Sequence, residues 1–336
     1  MLGTFDCSHD SLNLMCAHRI LRRCEYYVTT PIFYPNAGVC VCLFFKIQSL
    51  TSAAPHIGHL HSLVTADVFA RYQRITDPSL NVHYLTGTDD HGLKIQQAAA
   101  AAGLSPRQFC DSSSNRFKVH PCLSYLFTNS FCPSQGLTRA ADISSTVFSR
   151  TSDPAHHHTV QHVWSKLSAQ GLIRKINYCG WYSIIDECFY TPRQVSPAPS
   201  PTNNHTHVAL STGSPVEWHE EQNYVFHLGA FRSQLLQHYL DHPNAIYPQQ
   251  YHADIVNLLK LDNNDQALEE LSISRPAERL SWGVPVPDDP SQTVYVWFDA
   301  LLVYLSAIGY PDSAATTGLS APWPPDLQVI GKDILR

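Results

Sequence analysis

The run YYVTTPIFY at residues 26–34 is followed by APHIGHL at residues 54–60 and by NVHYLT at residues 81–86. The first and third runs are rich in β-branched and aromatic residues, which is typical of buried strands. We therefore predict two strands, with a helix between them that begins near Pro55. The helix is indicated by apolar residues at helical spacing, at Ile57, Leu60, Val64, Val68, Tyr72 and Ile75.

The segment after the second strand continues this order. TGTDDHG at residues 86–92 closes the strand, and an alanine-rich helix is predicted from Lys94. The order strand, helix, strand, helix indicates a parallel sheet with right-handed crossovers. A strand at 293–298, a helix at 300–308 and a strand at 328–330 indicate that the sheet resumes near the end of the sequence.

The region between these two parts has a different pattern. A helix is predicted at 157–171, and strand-like runs occur at 178–190 and 223–228. The stretch 192–215 is rich in Pro, Ser, Thr and Asn and is predicted to be a loop. We interpret residues 137–260 as a separate domain inserted into the first.

Two stretches interrupt the strand and helix order. Residues 38–53 separate the first strand from its helix, and residues 119–135 follow a helix predicted to end near Lys118. The first interval is long, because such loops usually have about 2–6 residues. We interpret both stretches as either unspliced intervening sequence or surface insertions specific to a lineage. Sequencing the mature transcript separates these two interpretations.

Length and composition set outer limits. The 336 residues are enough for about two domains, and 44% hydrophobic residues exclude full disorder. A net charge of -6 excludes a nucleic-acid binder held by bulk positive charge. No apolar run approaches the roughly 18 residues that cross a membrane, so we expect a soluble protein that makes no membrane contact.

The 10 cysteines do not form a metal or disulfide framework by spacing, because no C-x-x-C occurs and no secretory apolar segment precedes them. Reduced thiols are therefore expected. His158 and His162 are four residues apart on the predicted helix and invite a metal site. No carboxylate or cysteine matches them, which favours a solvated or RNA-facing helix.

The residues HIGH at 56–59 place two imidazoles and a glycine at a helix start that follows a strand. A helix N-terminus offers free N–H groups and a positive dipole to phosphates. Gly58 permits close approach, while His56 and His59 can donate to oxyanions. The alternative is a plain helix start with solvent-facing histidines.

Several motifs together resemble class I methionyl-tRNA synthetases. YVTTPIFYPNA at 27–37, resumed by APHIGH at 54–59, is similar to the opening signature of that family. The motifs that follow are in the family's order: TGTDDHG at 86–92, LSISR at 271–275, VWFDAL at 296–301 and IGKDI at 330–334. The resemblance covers residues 25–336 apart from the two interrupting stretches.

This resemblance implies an α/β fold, a Rossmann-like parallel-sheet catalytic domain split by an inserted connective-peptide domain. It also implies a division of the chain. Residues 1–24 would be an N-terminal extension that resembles a weak presequence, and 119–135 an insertion. The catalytic halves and the connective-peptide domain would occupy 25–118, 263–336 and 136–262, with 38–53 inserted in the first half.

By resemblance, six residues line a methionine pocket, an apolar slot suited to a thioether beside aromatic rings: Pro31, Ile32, Tyr34, Trp297, Ala300 and Tyr304. Asp89 would bind the substrate ammonium, with Arg275 nearby. From spacing alone, Trp297, Ala300 and Tyr304 indicate one face of an amphipathic helix packed in a core. Asp89 and Arg275 alone indicate surface charges or an ordinary ion pair.

The resemblance also implies a nucleotide site. The catalytic histidines His56 and His59 would contact the ATP phosphates, beside Gly58. Three residues near the end of the sequence would complete the nucleotide site, the last two at the ribose: Gly331, Lys332 and Asp333.

The implied reaction is attack of the methionine carboxylate on the α-phosphorus of ATP, followed by transfer of methionine to the acceptor end of tRNA(Met). Positioning and charge neutralisation carry this chemistry, and Mg²⁺ would accompany ATP. We expect a monomer in the mitochondrial matrix, with a cytoplasmic location as the alternative.

The sequence departs from the family pattern at two places. At the first pair of zinc-ligand positions it has Ser183 and Asp186, which resembles the zinc-free mitochondrial type, so we expect no structural zinc. Its two methionines are Met1 and Met15, so it holds no K-M-S-K-S signature. We therefore expect this C-terminally truncated chain to be weakly active or inactive. The alternative is a non-catalytic fragment or pseudoenzyme that binds methionine or ATP.

Overall fold

The computed structural model describes residues 25–32, 57–117, 137–186, 188–197, 207–260, 270–312 and 323–330. The N-terminal extension and both interrupting stretches lie outside these residues. The first part of the fold has seven elements: β1 (Glu25–Thr29), α1 (Ile57–Thr76), β2 (Asn81–Thr88), α2 (Leu93–Ala101), α3 (Pro106–Ser114), α4 (Leu137–Ala140) and β3 (Val147–Arg150).

The central part is mixed. Its elements are α5 (Pro154–Ala169), β4 (Ile173–Ser183), β5 (Cys188–Tyr190), β6 (Val195–Pro197), β7 (His207–Ala209), β8 (Pro215–Phe226), α6 (Arg232–Asp241) and α7 (Gln249–Lys260). The predicted loop at 192–215 is wrong in part, because β6 and β7 pair with each other inside it. Short 3₁₀ turns also lie at Pro192–Gln194 and Leu228–Phe231.

The last part of the chain contributes a strand to the parallel sheet of the first part. Its elements are β9 (Leu271–Ser272), β10 (Ser274–Pro276), β11 (Pro285–Val286), β12 (Asp289–Val294), α8 (Val296–Leu301), α9 (Val303–Ser306) and β13 (Leu327–Gln328). The predicted strand at 293–298 is wrong beyond Val294, because α8 begins at Val296. The predicted helix at 300–308 is divided between α8 and α9.

The sheet formed by β1, β2, β3 and β13 is parallel, as predicted. Its strand order is β13, β1, β2, β3, and all three pairings are parallel. β2 is buried at seven of its eight residues, which is typical of a strand covered on both faces. Gly87 lets β3 approach closely, because a Cβ there would collide with the backbone of Ser149.

Two further sheets belong to the rest of the chain. β4 and β8 form a long antiparallel ladder from the Ile173 and Phe226 pair to the Tyr182 and Glu217 pair. β5, β7, β6 and β9 extend this sheet to six strands. β10, β12 and β11 form a separate antiparallel sheet of three strands.

Apolar side chains cover both faces of the parallel sheet. α1 packs on one face with a cluster that includes Val28, Leu63 and Tyr84. α9 packs on the other face, where Val303 and Tyr304 meet Tyr27 and Leu85. A third cluster joins α5 to the three-stranded sheet through residues that include Val160, Trp164 and Val294.

The apolar periodicity that predicts α1 does not mark its buried face. Four of the six predicted residues have more than half of their surface exposed: Ile57, Val68, Tyr72 and Ile75. The buried face instead carries His59, Leu63, Ala66, Asp67 and Ala70. Small residues lie there because the helix packs closely on the sheet. Among the described helices, none is long and apolar enough to span a membrane.

Candidate active site

The carboxyl ends of β1 and β2 meet at one edge of the parallel sheet. Thr30 N donates to Leu85 O at 3.1 Å, and the hydroxyl of Thr30 donates to that of Thr86 at 3.0 Å. Pro31 and Ile32 follow directly and are half-buried. Ile32 packs against the cluster that contains Tyr304. Residues from the two ends of the chain are thereby adjacent at this edge.

Asp89 lies in the turn that follows β2 and is only 7% exposed. Its Oδ1 accepts from Thr151 Oγ1 at 3.3 Å and from His91 N at 3.3 Å. The interpretation of Asp89 as a surface charge is wrong. A carboxylate at this depth is stable only with cations or hydrogen bonds around it.

The neighbouring Asp90 anchors this turn. It is fully buried, and its carboxylate accepts from Arg150 Nε at 2.7 Å, Ser152 Oγ at 2.7 Å and Ser114 Oγ at 3.0 Å. These donors come from the end of β3 and from α3, so the backbone beside Asp89 is held on two sides. The motif predicted Asp89 but gave no role to Asp90, because its partners are distant in sequence.

A second buried network lies beside the turn. Asp299 Oδ2 is 2.6 Å from His91 Nδ1, and Asp299 Oδ1 is 2.6 Å from His156 Nε2. Burial raises the pKa of Asp299, but the two imidazoles more than offset this and hold it below its usual value. Burial and the neighbouring His91 lower the pKa of His157 to about 4. Sequence analysis gave none of these residues a role in the site.

The predicted apolar wall is divided between α8 and α9. Trp297 is 50% exposed and stacks on Tyr295 with ring centroids 6.3 Å apart. Ala300 is half-buried. Tyr304 is 4% exposed, and its carbonyl accepts from Tyr27 Oη at 3.1 Å. The interpretation of these residues as one helix face packed in a core is therefore correct for Tyr304 and wrong for Trp297.

Arg275 is held in an aromatic cage and is 3% exposed, so it is not a surface charge. Its guanidinium carbon lies 4.2 Å from the ring centroid of Tyr295 and 5.1 Å from that of Phe189. Nη1 donates to Ser272 Oγ and to the carbonyl of Ser274. Arg275 also lines a small cavity with Gly92 and Leu93, which follow Asp89 in the chain.

The N-terminal turn of α1 holds Gly58 and His59. His59 is 6% exposed, and its ring makes an edge contact with Phe117 at a centroid distance of 5.3 Å. The solvent-facing alternative is therefore wrong for His59. The other predicted nucleotide and pocket residues lie outside the described residues: His56, Tyr34, Gly331, Lys332 and Asp333.

A carboxylate organises the segment that holds Ser183 and Asp186, the positions at which the resemblance implies zinc ligands in other members of the family. The Asp186 carboxylate accepts from the hydroxyls of Tyr190 at 2.8 Å, Thr212 at 2.7 Å and Ser214 at 2.9 Å, and Asp186 N donates to Ser183 Oγ at 3.2 Å. Within the described ranges, no group of three or more His, Cys, Asp and Glu side chains is arranged to hold a metal ion.

The histidine pair on α5 makes separate contacts. The side chain of His158 is 56% exposed, and its Nδ1 lies 3.4 Å from Asp312 Oδ2. His162 instead packs against the ring of Tyr310 at a centroid distance of 5.5 Å. The two imidazoles therefore contact different partners on a partly solvated helix.

These features define a class of protein. A parallel sheet covered by helices on both faces, with polar side chains and a helix N-terminus near the carboxyl ends of adjacent strands, is the doubly wound α/β fold that binds ligands at that edge. The family model for tRNA synthetases class I (M) matches residues 48–336. The chain belongs to this family, and the predicted resemblance to methionyl-tRNA synthetases is confirmed.

Individual relatives agree. The mitochondrial methionine-tRNA ligase of Bos taurus is 43% identical over 311 residues, which are 92% of this chain and 45% of that protein. The methionine-tRNA ligase of Mycobacterium bovis is 37% identical over 311 residues, which are 93% of this chain and 51% of the relative. The chain thus spans about half the length of these relatives.

The fold comparison gives the same family. The structure of Mycobacterium tuberculosis methionyl-tRNA synthetase bound by methionyl-adenylate matches with a TM-score of 0.73 and 36% identity. The match covers 93% of this chain and 52% of that structure. The α/β class I synthetase fold predicted from the motifs is therefore confirmed.

Proposed function

We propose that the chain is the catalytic region of a methionine-tRNA ligase, which joins methionine to ATP to give methionyl-adenylate and pyrophosphate, and then transfers methionine to the acceptor end of tRNA(Met). One observation carries the proposal. Ile32 packs with Tyr304 in one cluster against Tyr27 and Leu85 of the parallel sheet, and the buried Asp89 directly follows β2 of the same sheet. Ile32, Asp89 and Tyr304 are an apolar side chain, a buried carboxylate and an aromatic ring, which suit the parts of methionine.

Asp89 is proposed to bind the substrate ammonium. Water screens a buried pair of charges less than a pair at the surface. The attraction between the ammonium and the Asp89 carboxylate would therefore be stronger in this site. The thioether would lie against Trp297, Ala300 and Tyr304, because sulfur makes favourable contacts with aromatic rings. Pro31 and Ile32, with Tyr34 and Arg275, would complete this pocket.

The ATP phosphates are proposed to bind at the N-terminus of α1, where His56, Gly58 and His59 meet free N–H groups and the positive end of the helix dipole. Gly331, Lys332 and Asp333 would complete the nucleotide site. Mg²⁺ would arrive bound to the phosphates and neutralise their charge. The protein then orients the carboxylate of methionine toward the α-phosphorus, and no covalent protein intermediate is required.

The organisation of the chain follows from the same proposal. The catalytic domain would occupy 25–118 and 263–336, and the connective-peptide domain 136–262. The matched relatives include mitochondrial and bacterial ligases, and we propose a monomer that acts in the mitochondrial matrix. The resemblance to the zinc-free mitochondrial type at Ser183 and Asp186 supports this location.

Calorimetric titration with non-hydrolysable aminoacyl-adenylate analogues tests the proposal. We expect the methionyl analogue to bind and the leucyl analogue to bind at least tenfold more weakly. Replacing Asp89 by Asn should weaken the methionyl analogue by about tenfold to a hundredfold, since hydrogen bonds to charged groups contribute about 1.5–3 kcal/mol. Asp254→Asn is the control, because Asp254 is exposed on α7. Equal affinity for both analogues would contradict the proposal.

The alternative is a non-catalytic fragment that binds methionine or ATP. Methionine-dependent exchange of pyrophosphate into ATP separates the two functions, because exchange requires formation of the adenylate. Because the sequence holds no K-M-S-K-S signature, we expect exchange by this chain to be weak. Weak exchange that is lost in Asp89→Asn supports the ligase, whereas binding with no detectable exchange supports the fragment.

A further inference from the structure

Three buried side chains connect the parts of the proposed methionine site. Asp299 lies between His91 and His156, with both oxygen to nitrogen distances at 2.6 Å. Each of the three side chains is at most 2% exposed. His156 Nδ1 continues to Ser306 Oγ at 2.8 Å. We call His91, Asp299 and His156 the His-Asp-His bridge.

The members of the bridge lie next to residues of the proposed site. His91 follows Asp89 by two residues, and its backbone N–H donates to Asp89 Oδ1. Asp299 lies in α8 between Trp297 and Ala300. The bridge therefore connects the turn that carries the ammonium-binding carboxylate directly to the helix that carries the apolar wall.

The far side of the bridge reaches two further helices. His156 belongs to α5, and Ser306 belongs to α9, two residues after Tyr304. Charge-assisted hydrogen bonds at 2.6 Å are short and directional, so they fix the separation of these elements more tightly than apolar contacts do. Removing one partner would leave the Asp299 carboxylate buried with one bond fewer.

The His91 ring is held in place on its other sides. Trp282 and His157 contact it edge-on at centroid distances of 5.5 Å and 5.1 Å. Its Nε2 is buried and makes no hydrogen bond within the described part of the chain. The polar contact of this imidazole is therefore the one to Asp299, which indicates that it acts by positioning α8.

We infer that the His-Asp-His bridge is a positioning device that sets the distance between Asp89 and the wall formed by Trp297 and Ala300, so that methionine affinity depends on it and ATP affinity does not. This inference rests on the proposed function. A binding site whose supporting residues loosen loses affinity although the contacting residues remain. The predicted ATP residues lie on other segments, so they should be insensitive to the bridge.

The two histidines bond Asp299 through different ring nitrogens. Asn and Gln substitutions should therefore have opposite effects at the two positions. His91 bonds Asp299 through Nδ1, a position that the amide nitrogen of Asn reproduces. His156 bonds Asp299 through Nε2, a position that the amide nitrogen of Gln reproduces. We expect H91Q and H156N to weaken methionine binding about tenfold in calorimetric titrations of the 336-residue chain. H91N and H156Q should weaken it less than threefold.

ATP affinity should stay within twofold of the wild-type value in all four variants. The control is H158Q, because the side chain of His158 is exposed on the same helix as His156. Its affinities for methionine and for ATP should both stay within twofold of the wild-type values. The inference would be overturned if the Asn and Gln variants had equal methionine affinities at both positions, or if ATP affinity fell in parallel with methionine affinity. The proposed function would still stand in either case, provided that the wild-type chain binds methionine. A wild-type chain that does not bind methionine would overturn both.

Discussion

Asp186 shows how one side chain can organise a loop cluster through hydrogen bonds. Its carboxylate accepts three hydroxyl hydrogen bonds, from Tyr190, Thr212 and Ser214. These residues come from β5 and from the turn before β8, so the carboxylate joins segments that are apart in sequence. A carboxylate has enough lone pairs to accept from all three donors.

Replacing Asp186 by Asn should lower the free energy of unfolding by about 1–3 kcal/mol, because an amide has one acceptor oxygen and leaves hydroxyl donors without a partner. Urea unfolding of both proteins measures the difference. Glu220→Gln is the control, since Glu220 is exposed on the same sheet and should change stability by less than about 0.5 kcal/mol. Chelators should leave the unfolding of the wild-type chain unchanged. Metal-dependent unfolding would contradict this account.

At the scale of elements, α1 shows that the residues at apolar helical spacing are not the residues that are buried. Its large apolar residues recur at helical spacing, yet Val68 is 59% exposed whereas Leu63 is fully buried. The buried face includes Ala66 and Ala70, whose small side chains allow close contact with β1 and β2. Asp67 also lies on that face, because it accepts hydrogen bonds from Arg71 and Ser144.

Truncation of these two residues should therefore have unequal effects. Leu63→Ala should lower the free energy of unfolding by about 2–5 kcal/mol, since it leaves a cavity against the sheet. Val68→Ala, on the same helix, should cost less than about 0.5 kcal/mol. Chemical denaturation of the two variants provides the measurement. Similar losses would show that the outer face of α1 is covered in solution.

At the scale of the whole molecule, Arg275 joins the last part of the chain to the central part. Tyr295 lies in the segment before α8, whereas Phe189 and Tyr182 belong to β5 and β4. The planar guanidinium stacks on these rings and donates to Ser272 and Ser274 at the same time. One side chain thus connects the three-stranded sheet, which holds Arg275 itself, to β4 and β5 of the six-stranded sheet.

Replacing Arg275 by Lys should destabilise the chain by about 2 kcal/mol, because an ammonium keeps the charge but neither the fork of donors nor the flat stacking surface. Lys175→Met is a matched control at the same junction. Lys175 pairs with Asp289 across 2.7 Å but is partly exposed, so its loss should cost less than about 1 kcal/mol. Thermal unfolding compares the two, and equal losses would contradict a special role for Arg275.

The motifs TGTDDHG and VWFDAL identified the family and predicted roles for Asp89, Trp297 and Ala300, because these patterns are local in sequence. The parallel sheet was predictable for the same reason, since strand and helix patterns have short periods. The helix start at Val296 was missed because VYVWF is rich in strand formers, and tertiary packing on the sheet overrides that propensity.

The sequence by itself determined the alternation of strands and helices that gives the parallel sheet, and it determined the family. Only the tertiary structure decided which face of α1 is buried, which donors surround Asp90 and Asp186, and how Asp299 joins His91 to His156. The physical reason is the distance along the chain between partners. His91 and Asp299 are separated by 208 positions, and no local pattern encodes a hydrogen bond that forms only after the sheet has brought the two ends of the chain together.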